Sequence, residues 1–360
     1  MMQNGKHGKI RMVNLEFFKG KRVFITGHNG FKGTWLTKVL VDSGAIICGY
    51  SLNPLKNSLY KKIDLESKIL SIEGDIRDFE KLKKNFCEFS PEIVIHMAAQ
   101  AIVLKSYEDP RYTYETNVIG TVNILDCIRN SNSVKSFLNV TTDKVYENLD
   151  RKIAFKEEDK LNGYDPYSNS KSCSELVTSS YKNAFLNEKN IGVSTARAGN
   201  VIGGGDYSDF RILPDCVRAA KNGEDIIVRN PNSVRPYQHV LDAIFAYLLI
   251  VQKQYEDVKY SGNYNVGPDL GIVTKTEDVV KYFCKYWGEN INYINKSFNN
   301  PHESSYLQLD CKKIRDIFGW RQVWNIEKSI EKVVEFEKNG NKEKIMEEQI
   351  EEFINGRKLN

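Results

Sequence analysis

Lys21-Arg22-Val23-Phe24-Ile25-Thr26 runs straight into Gly27-His28-Asn29-Gly30-Phe31-Lys32-Gly33, and this into Thr34-Trp35-Leu36-Thr37-Lys38-Val39-Leu40. The first six residues are an apolar, β-rich run, and the last seven carry apolar residues at helical spacing. Glycines between a strand and a helix allow a tight turn whose backbone can approach a pyrophosphate, with the helix N-terminus meeting the charge. The spacing is G-x-x-G-x-x-G rather than G-x-G-x-x-G. A dinucleotide site is therefore expected here, built from Gly27, His28, Gly30, Phe31, Lys32 and Gly33. Lys32 either adds a charge contact to the phosphates or lies solvated.

Outward from this turn, strands and helices alternate. Ala45–Tyr50 reads as a second strand, but neither an acid nor an Arg or Lys stands at its tip, Tyr50-Ser51-Leu52-Asn53. An acid there would hold the adenine ribose. With no clamp for a 2′-phosphate evident, NAD is expected over NADP. A third strand is expected to end in Asp75, with Asp75 bonding an adenine amino group or capping the helix that starts near Asp78, and Ile76 beside it at the cofactor. Glu92–His96 is an apolar strand running into Ala98, Ala99 and Gln100, small enough at Ala98 and Ala99 for a ring or ribose to lie close. A long helix is expected over 111–129, with Asn117 on the cofactor side. This rhythm predicts an α/β fold: a Rossmann-type doubly wound parallel sheet with a smaller C-terminal substrate-binding portion.

The expected division is a disordered extension over 1–14, a cofactor domain with the catalytic residues over 15–200, and a mainly substrate-binding portion over 201–345, some of which returns to the first sheet. A charged tail follows over 346–360. Ile226–Val228 and Asn263–Val266 read as strands of the smaller portion. The 360 residues are 41% hydrophobic and 27% charged, with a net charge of +4 and no basic cluster, so no nucleic-acid surface is expected. Nor is a membrane partner, because no apolar run approaches the roughly 18 residues of a spanning helix. The first fourteen residues lack the apolar segment of a secretory signal. Seven Cys without a C-x-x-C pair fit a reduced, cytoplasmic chain with no metal site.

The chemistry gathers after the apolar run Ser136–Val140, in Thr141-Thr142-Asp143-Lys144-Val145-Tyr146 and Tyr167-Ser168-Asn169-Ser170-Lys171. Tyr167 and Lys171 are four apart and share a helix face. An ammonium there favours the phenolate of a Tyr that can take a proton from a hydroxyl while hydride leaves the same carbon. The helical periodicity suits a plain surface Tyr equally well, and the position beside Thr142, Asp143 and Lys144 lifts the pair above it. Downstream, Ala198-Gly199-Asn200-Val201-Ile202-Gly203-Gly204-Gly205-Asp206 offers exposed backbone on which a diphosphate could rest.

TGHNGFKG from Thr26, TTDKVYEN from Thr141, YSNSK from Tyr167, RAGNVIGGGD from Arg197 and RPYQHV from Arg235 together resemble the extended short-chain dehydrogenase/reductases of the sugar-nucleotide branch. Within them the chain is most similar to the CDP-glucose 4,6-dehydratases, over residues 15 to 340. Tyr237 departs from the Trp usual in the last motif. The resemblance implies bound NAD, a nucleotide-sugar substrate and a homodimer pairing the helices at 111–129 and 167–186. It implies oxidation of C-4, elimination of water across C-5 and C-6, and return of hydride to C-6, in deoxysugar synthesis for surface polysaccharide. Thr142, Asp143, Lys144, Tyr167 and Lys171 are then catalytic, with Asp143 as acid and Lys144 either as base or as an orienting cation. Asn200, Arg211, Arg235, His239, His302 and Glu303 fall to the substrate, the arginines as forked ligands of its diphosphate. A dehydratase acting on another nucleotide sugar, or a C-4 epimerase or oxidoreductase, remains the alternative.

Overall fold

A computed structural model describes residues 13–288, 291–296 and 304–359. Seven strands form one all-parallel sheet: β1 (Arg22–Thr26), β2 (Ile46–Ser51), β3 (Leu70–Glu73), β4 (Ile93–His96), β5 (Ser136–Val140), β6 (Gly192–Ala198) and β7 (Asn263–Val266). Their spatial order is β7-β6-β5-β4-β1-β2-β3. Residues of β5 and β6 are buried throughout, as expected of central strands covered on both faces. The order turns around between β1 and β4, so the crevice beyond the strands' carboxyl ends lies there.

The helices explain the covering. Phe31–Asp42 follows the glycine turn, and Pro166–Tyr181 begins with Asp165 accepting from the Ser168 amide and Pro166 in the first turn. Val240–Glu256 is buried on every side from Val240 to Gln252 and packs against β5 and β6. Sequence reasoning passed over this helix, because an apolar run without an outward stripe shows no amphipathic period.

The smaller portion has its own core, in which Val217, Val228, Phe283 and Val333 pack together. It is built from Ile212–Asn222, Thr276–Trp287, Ile326–Lys338 and a short pair of strands, Ile226–Val228 with Tyr293–Asn295. Asn263–Val266 does not belong to it: that segment pairs with β6 as an edge of the main sheet. β3 ends at Glu73, before Asp75 and Ile76, and Asp78 rather than Asp75 caps the following helix. The helix expected over 111–129 starts at Pro110 and widens into a π turn over Glu115–Ile119. The charged tail is a docked helix, Lys342–Leu359, which buries Ile345, Met346, Ile350 and Phe353. Of the expected N-terminal extension, residues 1–12 lie outside the described residues, while the Asn14 amide donates to Gln252 on the buried helix.

Candidate active site

The glycine turn has no room for side chains. Gly27 has φ +74°, and a Cβ there would stand 2.8 Å from the Ala98 nitrogen; one on Gly33 would stand 2.1 Å from the Gly27 carbonyl oxygen. Gly30 begins Phe31–Asp42 without a side-chain cap, leaving first-turn amides for an anion. These features fit a dinucleotide pyrophosphate.

A cleft of about 270 Å³ opens beyond the carboxyl ends of β5 and β6. Thr142, Asp143, Lys144 and Tyr167 line it together with Lys32, Asn200, Arg211 and Arg235. Thr142 Oγ1 donates to Asp143 Oδ1 at 3.0 Å, and Lys144 Nζ lies 3.4 Å from the same oxygen and 3.5 Å from Asn200 Oδ1. The Asp143 side chain is 1% exposed, and its Oδ2 has no partner among the described residues. Burial pushes the Tyr167 phenol up to about 12, opposed by a hydrogen bond with Thr142 and the charge of Arg211. Burial likewise lowers Lys171 to about 8, and its Nζ donates to the Val140 carbonyl at 3.3 Å. The buried pair thus rests nearer its uncharged forms than the spacing of Tyr167 and Lys171 suggests.

A buried ion pair braces these residues. Arg197 on β6 grips Glu175, one turn beyond Lys171, through Nε to Oε1 and Nη2 to Oε2, each at 3.0 Å. Thr141 donates to Glu175 Oε1 at 2.5 Å, and Arg197 Nη1 donates to the Tyr146 hydroxyl at 3.0 Å. The turn Thr141–Tyr146 is thereby tied at both ends to the helix that carries Tyr167. Sequence reasoning missed Glu175, since a lone acid on a polar helix reads as solvated and its partner is distant in the chain.

The opposite wall is cationic. Arg211 pairs with Asp206 at 3.2 Å, Arg229 with Asp215 at 2.6 Å, and Arg235 donates to the Val234 and Ser304 carbonyls. Lys32 is half-buried at the edge of the cleft, and burial, with the charges of Arg211 and Lys171, lowers it to about 7. Asn200, Arg211 and Arg235 stand together as expected; Arg229 was not anticipated.

Other expected residues stand elsewhere. The His28 ring is 1% exposed, packed edge-on to Tyr60 and bonded to Ser71, so only its backbone can face a ligand. His239 is fully buried between Trp35 and Trp324, where its Nδ1 caps Val240–Glu256; it is not a substrate ligand. Asp75 is engaged by the Arg77 amide and guanidinium. Ile76 is buried against Gly120. Asn117 is buried and spends its amide on Gln100 and Ser170, tying the loop that contains Ala98 and Ala99 to the catalytic helix. His302 and Glu303 lie outside the described residues. No cluster of metal-ligating side chains occurs among the described residues.

Residues 24–333 match the family described as GDP-mannose 4,6 dehydratase. The chain is 43% identical over 334 residues to the CDP-glucose 4,6-dehydratase of Salmonella typhimurium, covering 91% of this chain and 93% of that one. Among solved structures it resembles UDP-glucose 4-epimerase with UDP-glucose from Thermotoga maritima, with a TM-score of 0.77, 22% identity, and 88% of this chain and 98% of the other covered. It also resembles dTDP-glucose 4,6-dehydratase in complex with NAD from Bacillus anthracis, with a TM-score of 0.73, 22% identity, and 89% and 97% covered.

Proposed function

The chain belongs to the GDP-mannose 4,6-dehydratase family, and from that premise we propose that it is a hydro-lyase converting CDP-glucose to CDP-4-keto-6-deoxyglucose and water. The observation that carries dehydration is Asp143: a buried carboxyl whose Oδ2 has no partner among the described residues, next to Lys144 and on the same cleft as Tyr167. The cytidine and gluco parts rest on the likeness to the Salmonella typhimurium enzyme.

Bound NAD supplies a hydride acceptor for C-4 and a donor for C-6. The amides of the turn Gly27–Gly33, with Gly30, Phe31 and Lys32 at the helix start, would hold it, with Ala98, Ala99 and Gln100 alongside. Tyr167 accepts the C-4 hydroxyl proton, with the Lys171 ammonium stabilising the phenolate. Thr142, already bonded to Asp143, turns to the C-4 oxygen and polarises the ketone. The ketone acidifies C-5–H; Lys144 takes that proton, and Asp143 gives one to the departing C-6 hydroxyl. The two side chains stand 3.4 Å apart, close enough for a proton to pass between them between turnovers. Arg211 and Arg235 hold the diphosphate, and Asn200 orients the sugar.

A homodimer is part of this reading: Tyr114, Ile119, Leu176 and Phe185 are large exposed apolar residues on the two helical stretches flanking β5. So is a cytoplasmic place in deoxysugar synthesis, with seven free thiols and no described helix long and apolar enough to cross a membrane. The test is incubation of purified protein and NAD with CDP-, dTDP-, GDP- and UDP-hexoses, reading product mass. Loss of water from CDP-glucose is expected; interconversion of C-4 epimers without mass change would show an epimerase instead.

A further inference from the structure

We infer that Arg229 and Phe210 form the base-reading end of the cleft, where Arg229 selects cytosine over uracil and thymine. This rests on the nucleotide-sugar reading above and assigns it two residues that the reading leaves idle.

The cleft has a direction. Tyr167, Thr142 and Asp143 mark one end, at the main sheet. Arg229 follows the strand Ile226–Val228, which belongs to the smaller portion, and borders the same cleft with Phe210 and Pro214. A nucleoside diphosphate hexose is linear. With its hexose at Tyr167 and its diphosphate at Arg211 and Arg235, the base extends toward Arg229.

Arg229 is built as a fixed reader. Nη2 spends one of its two N–H groups on Asp215 Oδ2 at 2.6 Å, which orients the guanidinium; its second N–H and the neighbouring N–H on the same edge form the fork left for a base. The guanidinium carbon lies 5.8 Å from the centre of the Phe210 ring. Phe210 has φ +63° and is 48% exposed, an aromatic side chain held at the rim in a backbone conformation bulky residues rarely adopt. Such a ring offers a stacking face to a flat base.

The selection follows from the base edge. Cytosine presents O2 and N3 as adjacent acceptors, which two N–H groups of one guanidinium meet in parallel. Uracil and thymine carry hydrogen on N3, so the second N–H of Arg229 would face another donor. One bidentate contact of this kind is worth about tenfold or more in discrimination.

The experiment measures CDP and UDP binding to the full chain by calorimetry, for wild type, Arg229→Met, Arg229→Lys and Phe210→Ala, alongside KM for CDP-glucose. Wild type is expected to favour CDP by about tenfold or more. Arg229→Met should bring the CDP-to-UDP ratio near one and raise KM more than it lowers kcat. Arg229→Lys, which keeps charge but loses the fork, should not restore the ratio. Phe210→Ala should weaken both nucleotides with the ratio kept. Equal loss of CDP and UDP in Arg229→Met would make Arg229 a phosphate contact and overturn the assignment, as would an unchanged ratio. Should Arg229→Met fail to fold, Arg229→Lys decides: a wild-type ratio there overturns the assignment. Nucleotide binding is read without turnover, so a protein that binds CDP selectively but dehydrates nothing refutes the dehydratase reading while leaving this one standing.

Discussion

Two pairs of ionisable groups stand at the site, and they are held in different ways. Tyr167 and Lys171 sit one turn apart on a capped helix, both buried, with burial pushing each toward its neutral form. Asp143 and Lys144 are consecutive residues of a short turn after β5, touching one another at 3.4 Å, with the amine partly open to the cleft. The first arrangement suits a proton transfer coupled to hydride movement, which needs a fixed geometry and serves many reactions. The second suits, on the proposed reading, a pair that works as acid and base in the elimination. Glu175 and Arg197 join the two: Glu175 stands on the catalytic helix and accepts from Thr141 at the start of the turn, and Arg197, paired with Glu175, donates to Tyr146 at its end.

The sharpest way to separate the pairs is to remove one function of each. Tyr167→Phe should lower kcat by about 10³-fold and leave no reduced nicotinamide in a single turnover, because oxidation itself is lost. Asp143→Asn should lower product formation by about 10²-fold yet let reduced nicotinamide accumulate with a 4-keto sugar. If both variants stop at the same step, the division between the pairs is wrong. Glu175→Gln should disturb both at once: breaking a buried pair costs about 3–5 kcal/mol, read by denaturant unfolding, and oxidation and elimination should slow together. The smallest effect is on pH. Lys171 is charged below about 8 and loses its proton as pH rises through that value, so a need for the ammonium makes kcat fall on the alkaline side. Lys171→Arg, which stays charged, should move that fall to higher pH.

How much of this was legible in the chain follows the same divide. The glycine turn, β5 and the Tyr167 helix were readable, because local rules decide them: a turn with no room for side chains, a strand buried on both faces, a capped start with Pro166. What could not be read depends on distant partners. Asn263–Val266 looks like any short strand until it pairs with β6. The Lys342–Leu359 helix looks solvated because its charges hide Ile345, Met346, Ile350 and Phe353. His28 and His239 stand in motifs that suggest ligands, yet Tyr60 covers one and two Trp rings enclose the other.

The central claim is that one cleft oxidises C-4, eliminates water and returns the same hydride. The most direct measurement supplies CDP-glucose carrying deuterium at C-4, with NAD and the purified protein, and locates the label in the product. The account predicts a 4-keto-6-deoxy sugar with deuterium at C-6, transferred within one molecule. Deuterium left at C-4, or a product that has lost no water, would contradict it.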